Sequence, residues 1–257
     1  MSQRSLSFDR AASFYDATRA LDPDVARRLT DALEREIRAV GDRVLEPGIG
    51  TGRIARPVAE RGIRVTGADI SRLMMEHLVA QVTPRHVPPD LVLADATRLP
   101  FADAAFPAAM VCHLLHLIPD WRAAIGQLRR VLAPDGVILH HGEGESDRNR
   151  SPLMTAKIDE LLDKRGFTRR QRPDVDEIRD AFVTIGGRLR TEIIAEWDDN
   201  LSLDRHFLES RSRAHSWTWE IPEHIFHDMM DEFEPWVRAN ISDERHVLYE
   251  LDVWTFD

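Results

Sequence analysis

Apolar residues recur every three or four positions in two segments of the chain, residues 23–40 and 121–132. This spacing places the apolar side chains on one face of a helix. In the first segment, Asp22-Pro23 supplies a cap and a first-turn proline, and Gly41 follows the last apolar position, as is typical of helix ends. Both segments are therefore predicted to be amphipathic helices that pack against a core.

Short apolar runs, bounded by polar or turn-forming residues, lie between and around these helices. The runs occupy residues 44–45, 64–69, 90–94, 108–112 and 137–139. Strands that alternate with helices predict a parallel sheet with right-handed crossovers. Residues 246–256 alternate large apolar residues with polar or smaller ones, which predicts a last strand that enters antiparallel beside residues 189–197.

A glycine-rich segment follows the first apolar run. It begins with Glu46 and carries Gly48, Gly50 and Gly52 at every second position. Glycines allow a sharp strand-to-helix turn and a close approach of the backbone to a ligand. The spacing differs from the G-x-G-x-x-G of dinucleotide sites, and a carboxylate beside the turn repels phosphate. The segment therefore favours a cofactor that carries a cationic group over NAD, although a tight turn without a ligand is the alternative.

Polar residues stand where three later strands end. Asp69 ends the second strand about 20 residues after the glycine loop, where dinucleotide-binding folds place a ribose-binding acid; the alternative is that it caps the next helix. Asp95 and His113 follow the third and fourth strands. Because parallel sheets bind ligands at their carboxyl edge, we expect these side chains to lie together.

Together, these motifs resemble the class I S-adenosylmethionine-dependent methyltransferases, within the small-molecule branch that includes ubiquinone and menaquinone biosynthesis enzymes. The resemblance covers about residues 8–145. It implies a Rossmann-like α/β fold, with a mostly parallel seven-stranded sheet, helices on both faces, an antiparallel last strand and helical lid insertions. One departure is Pro107, where the family often has aspartate; at a strand start it should matter little.

The resemblance also implies the cofactor, S-adenosylmethionine, and its binding residues. Residues 8–16 are similar to a segment that covers the bound cofactor, Asp69 to the acid that holds the ribose, and Asp95-Ala96 to the segment at the adenine. The implied cofactor-binding residues are Tyr15, Arg19, Glu46, Gly48, Gly50, Thr51, Gly52, Asp69, Ile70, Asp95, Ala96, Thr97 and His113.

The whole chain is predicted to form one domain in three parts. Residues 1–145 form the cofactor-binding core with its cover segment, and residues 146–187 form a helical insertion. Residues 188–257 contain the final two strands, with a lid at 203–240 inserted between them. The lid is rich in large apolar residues. Trp217 and Trp219 are predicted to bind the acceptor there. The alternative is that these aromatic residues pack the insertion onto the core.

Composition and charge indicate which classes of binding partner are disfavoured. The net charge of −10 disfavours nucleic acid, and no apolar run reaches membrane-spanning length, so we expect a cytoplasmic protein without a membrane partner. The four residues Arg169-Arg170-Gln171-Arg172 form a basic patch that is interpreted as a solvated turn. Cys112 is the only cysteine, which excludes an internal disulfide and indicates a small core residue.

The expected reaction moves a methyl group to an oxygen, nitrogen or carbon atom of a small-molecule acceptor, and a general base is optional. Candidate bases are His113, His116, His140, His141, Glu143 and Glu145. Adjacent strand residues point to opposite faces, so no metal site is expected at His140-His141. A non-catalytic cofactor-binding protein and a methyltransferase acting on protein side chains remain alternatives. The sequence does not predict the acceptor or the oligomeric state.

Overall fold

A computed structural model describes residues 5–19, 21–81, 88–141, 152–200, 202–242 and 244–256. The helices are α1 (Tyr15–Arg19), α2 (Pro23–Val40), α3 (Ala55–Glu60), α4 (Arg72–Gln81), α5 (Trp121–Val131), α6 (Pro152–Asp163), α7 (Val175–Thr184), α8 (Leu203–Arg211) and α9 (Glu223–Asn240). The strands are β1 (Arg43–Pro47), β2 (Arg64–Asp69), β3 (Asp90–Leu93), β4 (Phe106–Cys112), β5 (Leu132–His141), β6 (Gly187–Asn200) and β7 (Glu244–Phe256).

The strands form one sheet in the order β3-β2-β1-β4-β5-β7-β6. The first five strands run parallel to one another, and β7 runs antiparallel to β5. The predicted α/β fold, a mostly parallel seven-stranded sheet with an antiparallel last strand, is confirmed. The pairing of the last two predicted strands is confirmed as well, because β6 and β7 are neighbours in the sheet.

The chain divides into two compact units. The first contains residues 1–144, 172–195 and 249–257, and the second contains 145–171 and 196–248. Strand β6 begins in the first unit and its last residues belong to the second, and strand β7 begins in the second unit and ends in the first. The predicted three-part division of the chain stays a prediction.

The first unit has apolar layers on both faces of the sheet. One face buries α2, whose first turn is capped by Asp22: its carboxylate accepts the N–H groups of Asp24 and Val25. The other face buries α5 and α7, where Phe182 stacks on Trp254 with ring centroids 4.9 Å apart. Both faces of the parallel strands are thus covered, as the α/β pattern predicts.

The second unit has its own apolar core, built from α6, α8 and α9. Large side chains of α9 fill it with no exposed surface: Phe226, Met229, Met230 and Phe233. Within the described part of the chain, no helix is long and apolar enough to cross a membrane.

Candidate functional site

A cleft opens at the carboxyl edge of the sheet in the first unit. Its walls come from the ends of β1, β2 and β4, from the loop after β3 and from the N-terminal segment. The lining residues that the sequence predicted for cofactor binding are Tyr15, Glu46, Gly48, Gly50, Thr51, Asp69, Ile70, Asp95, Ala96 and His113. The sheet therefore brings together most of the predicted site, and the roles of these residues stay predictions.

The glycine loop is shaped by left-handed backbone. Gly50 has φ +54° and Gly52 has φ +72°, a conformation that glycine adopts without a steric penalty. A Cβ on Gly52 would lie 2.6 Å from a methyl carbon of Leu78, so this glycine lets the loop pack onto α4. Gly50 lines the cleft, whereas Gly52 acts behind it.

Asp69 is fixed by the backbone on both sides. One carboxylate oxygen accepts the Gly50 N–H at 2.8 Å, and the other accepts the Ser71 N–H at 2.7 Å. Burial raises its pKa, and these backbone hydrogen bonds oppose the rise. Ser71 itself accepts the Met74 N–H at the start of α4, so the capping role considered for Asp69 belongs to Ser71.

Glu46 is the most deeply buried acid of the cleft, with only 3% of its surface exposed. Its Oε2 atom has no hydrogen-bond partner among the described residues. Burial raises the pKa of Glu46 to about 8; Arg53 counteracts this rise, and Asp69 adds to it. A buried carboxyl group without a donor is costly, which is the state expected of a group that binds a ligand.

The N-terminal segment is tied to the cleft by hydrogen bonds over long sequence distances. Ser71 donates its hydroxyl hydrogen to Asp9 at 2.5 Å, Thr51 donates to Asp16 at 2.5 Å, and Ser5 donates to Asp95 at 3.2 Å. These contacts hold residues 5–16 against the edge of the sheet.

Tyr15 and Arg19, the predicted polar contacts of that segment, differ in position. Tyr15 lines the cleft, and burial raises its pKa although Arg53 and Arg19 oppose the rise. Arg19 is absent from the cleft lining; its carbonyl oxygen accepts a hydrogen bond from Arg53 at 2.9 Å.

The predicted adenine segment forms a short turn after β3. The Asp95 carboxylate accepts hydrogen bonds from the Thr97 N–H and hydroxyl, both at 2.8 Å. Asp95 and Ala96 line the cleft, while Thr97 holds Asp95 from outside it.

The candidate bases differ in whether they line the cleft. His113 lines the cleft, whereas His116, His140 and His141 do not. His141 is 1% exposed, and His140 is buried with its Nδ1 atom 3.9 Å from Asp252. Glu143 and Glu145 lie outside the described residues. No group of three or more potential metal ligands occurs in the part of the chain that the structure describes.

Sequence reasoning missed several cleft residues. Arg53 is the clearest case, because it directly follows the last glycine of the motif and is the only lysine or arginine among the lining residues. The others are Ser5, Leu6, Ile49, Ile54, Met74, Ala94, Cys112, Leu114, Leu117 and Ile118, whereas Phe8 belongs to the predicted cover segment. Most are apolar residues next to motif positions, without a chemical signature of their own.

Trp217 and Trp219 belong to the second unit. Trp217 packs against Phe226 with ring centroids 6.3 Å apart, and the Trp219 Nε1–H group donates to the Arg213 carbonyl oxygen at 2.7 Å. These contacts hold both side chains within the unit. Their predicted role in acceptor binding stays a prediction.

Comparison with known proteins agrees with this geometry. A family profile described as a methyltransferase domain matches residues 45–140, from Leu45 on β1 to His140 on β5. The phosphatidylethanolamine N-methyltransferase of Cereibacter sphaeroides is 31% identical over 157 residues, which cover 60% of this chain and 73% of that protein. The chain belongs to the S-adenosylmethionine-dependent methyltransferase family. A demethylmenaquinone methyltransferase of Renibacterium salmoninarum is 33% identical over 135 residues, covering 51% of this methyltransferase and 55% of that protein.

Solved structures extend the likeness to the fold. A structure from Thermotoga maritima, described as a SAM-dependent methyltransferase and possible histamine N-methyltransferase, has a TM-score of 0.54 and 16% identity, covering 97% of this chain and 98% of that one. The resemblance inferred from the sequence motifs is thus confirmed. The methyltransferase spans about half the length of the first curated relatives that it matches.

Proposed function

We propose that the methyltransferase binds S-adenosylmethionine in the cleft and catalyses methyl transfer to a small-molecule acceptor. The observation that carries this proposal is the buried carboxyl group of Glu46 at the end of β1, whose Oε2 lacks a hydrogen-bond donor. The ammonium group of the methionine part would supply that donor and a compensating charge. A phosphate group carries no such cationic donor, and the ionised form of Glu46 would repel it.

The order of acidic side chains along the sheet edge supports the same ligand. Neighbouring strands β3, β2 and β1 carry or precede Asp95, Asp69 and Glu46, in that order across the edge. An extended ligand with adenine, ribose and an amino acid in sequence matches this order. The Asp69 carboxylate oxygens accept the Gly50 and Ser71 N–H groups, and a carboxylate has further lone pairs with which to accept ribose hydroxyls.

Arg53 complements Glu46 at the amino-acid end. Arg53 lines the cleft, and its positive charge opposes the rise in the pKa of Glu46, which shows an electrostatic interaction between the two side chains. A guanidinium and a carboxylate at one end of a cleft match the carboxylate and ammonium groups of a zwitterion. Tyr15 lines the same cleft, and both Arg53 and Glu46 act on the pKa of its hydroxyl group.

When bound, the cofactor supplies a methyl group already activated by its sulfonium. The protein's own residues therefore have to orient the reactants and exclude water. Residues 5–16 serve the second task through their bonds to Asp95, Ser71 and Thr51. The acidic lining and the net charge of −10 favour a small molecule over nucleic acid as the acceptor.

Calorimetric titration tests cofactor binding directly. S-adenosylmethionine and S-adenosylhomocysteine should both bind, and NAD should not. Equal binding of NAD, or no binding of either S-adenosyl compound, would contradict the proposal. Incubation with methyl-labelled cofactor and a metabolite extract then separates an enzyme from a non-catalytic binder, since only an enzyme forms a labelled small molecule. Label that appears only in protein would instead favour the side-chain methyltransferase.

A further inference from the structure

His113 stands apart from the other histidines of the chain. Of those that the structure describes, it is the only one in the lining of the cleft. Its backbone has φ +50°, a left-handed conformation that is uncommon and strained for a residue other than glycine. The His113 N–H donates to the His141 carbonyl oxygen at 3.1 Å, which helps to hold this turn. Strain of this kind is maintained where the position of a side chain matters.

His141 supports the imidazole of His113 from behind. The two ring centroids lie 5.5 Å apart with the rings nearly perpendicular, and the His141 ring also contacts Tyr249 at 5.8 Å. The Nδ1 atom of His141 lies 2.8 Å from the Glu250 carbonyl oxygen. Because a carbonyl oxygen can only accept, this Nδ1 carries a proton, and the orientation of the His141 ring is fixed. His113 therefore packs against a rigid neighbour.

The sheet order places His113 at one end of the proposed cofactor. Asp95, Asp69 and Glu46 follow the order β3, β2 and β1, and His113 comes next, at the end of β4. Leu114, its neighbour, reaches Gly48: a Cβ on Gly48 would lie 2.5 Å from a Leu114 methyl carbon. His113 is thus beside the amino-acid end of the cleft and on the side away from the adenine segment.

The charges of the cleft select a neutral acceptor. Three carboxyl groups line it against one guanidinium, so an anionic acceptor would be repelled. The titratable groups that line the cleft together with His113 are Tyr15, Glu46, Arg53, Asp69, Asp95 and Cys112, and His141 packs against the His113 ring. Asp69 is held by two backbone donors, and burial keeps the proton on Tyr15 by raising its pKa. Histidine is the side chain suited to take a proton near pH 7.

We infer that His113 is the general base of the methyl transfer and that the acceptor is a neutral molecule with an O–H or N–H group. This inference rests on the proposed function. In the step, a bond forms between the acceptor atom and the methyl carbon while the S–CH3 bond breaks, and its electron pair stays on sulfur. The acceptor proton moves to the imidazole of His113, which is partly exposed and releases it to water.

His113→Asn tests this assignment with little disturbance of the backbone, because asparagine tolerates the left-handed conformation better than most residues. His116→Asn is the matched control, three residues along and outside the cleft. With methyl-labelled cofactor and a metabolite extract, His113→Asn should lower labelled product by about 10²-fold or more at pH 7. The rate of the wild-type protein and of the control should rise with pH across the range in which imidazole loses its proton, and the rate of His113→Asn should lack this rise.

Two readouts do not depend on activity. Calorimetry should show that His113→Asn binds S-adenosylhomocysteine within about tenfold of the wild-type protein. In NMR spectra of histidine-labelled protein, the ring signal that is missing in His113→Asn should shift on addition of S-adenosylhomocysteine and should titrate between about pH 5 and 8.

The outcomes separate the base from the proposed function. Wild-type protein that binds no S-adenosylhomocysteine refutes the proposed function itself. Binding and label transfer by the wild-type protein with equal turnover by His113→Asn refutes only the base. A His113 signal that does not titrate in the complex refutes it as well, whether or not the extract contains an acceptor.

Discussion

Replacing Glu46 with glutamine should change how the stability of the protein depends on pH. Burial raises the pKa of Glu46 from 4.5 to about 8, with Arg53 opposing the rise and Asp69 adding to it. The pKa in the folded protein is therefore higher than in the unfolded chain. Between these two values the folded protein holds a proton that the unfolded chain has lost, so the free energy of unfolding must fall as the pH rises.

The size of this fall follows from the interval between the two pKa values. Each pH unit is worth about 1.4 kcal/mol, so the stability lost between pH 4.5 and pH 8 is about 5 kcal/mol. Glu46 is 3% exposed, so water does not screen this contribution. Glutamine has nearly the same size and does not ionise, and the variant should lack this part of the pH dependence.

Urea denaturation followed by tryptophan fluorescence at pH 5, 6, 7 and 8 measures the effect. The free energy of unfolding of Glu46→Gln, minus that of the wild-type protein, should rise by about 1.4 kcal/mol per pH unit. Glu60→Gln on α3 provides a control, since the Glu60 side chain is exposed and does not line the cleft. Parallel curves for Glu46→Gln and the wild-type protein would refute the reasoning.

Three further predictions concern the cofactor and the frame of the site. Below pH 8, binding of S-adenosylhomocysteine should release close to one proton from Glu46, because the ammonium group of the ligand favours the ionised carboxylate. Calorimetry in two buffers of different ionisation enthalpy measures this release. The Glu46→Gln variant should release none. Asp69→Ala should weaken S-adenosylhomocysteine binding at least about tenfold, because charge-assisted hydrogen bonds to the ribose are lost. Replacing the exposed Asp42 with alanine should leave this affinity unchanged. If Asp69→Ala binds as tightly as the wild-type protein, Asp69 has only a structural role. Gly52→Ala should lower the free energy of unfolding, measured by urea denaturation, by about 1–3 kcal/mol more than Gly62→Ala does. Both glycines have positive φ, but only at Gly52 would a Cβ meet Leu78. Equal losses of stability in the two variants would contradict the packing argument.

Local signals in the sequence were sufficient to predict most of the fold. The strand at residues 64–69 coincides with β2, because glycine and aspartate bound the apolar run on both sides. The fifth strand is longer than predicted: β5 begins at Leu132, which pairs with Phe106 before the register jumps to Val137. Pro107 lies at this irregularity, where a missing N–H does little harm.

The site was predictable where its chemistry is local. Glu46 and Asp69 stand in short motifs next to apolar runs, so the sequence alone could place them at the sheet edge. The family resemblance implied a cover segment at residues 8–16, but its individual contacts could not be predicted, because Ser71 and Asp9 are 62 positions apart. The left-handed turn of His113 has no local signal either, since residues other than glycine adopt this conformation in only a few per cent of cases. His113 and His116 both follow β4, and only the folded structure shows that His113 lines the cleft and His116 does not.

The central claim is that the cleft at the sheet edge supports catalysis of methyl transfer to a small molecule. Mass spectrometry of a metabolite extract, incubated with the protein and cofactor labelled in the transferable methyl group, tests it most directly. We predict a labelled small molecule whose mass exceeds that of its unmethylated acceptor by one labelled methylene, and whose amount falls sharply with Asp69→Ala. Bound cofactor with no labelled small molecule, or labelling that Asp69→Ala leaves unchanged, would contradict the claim.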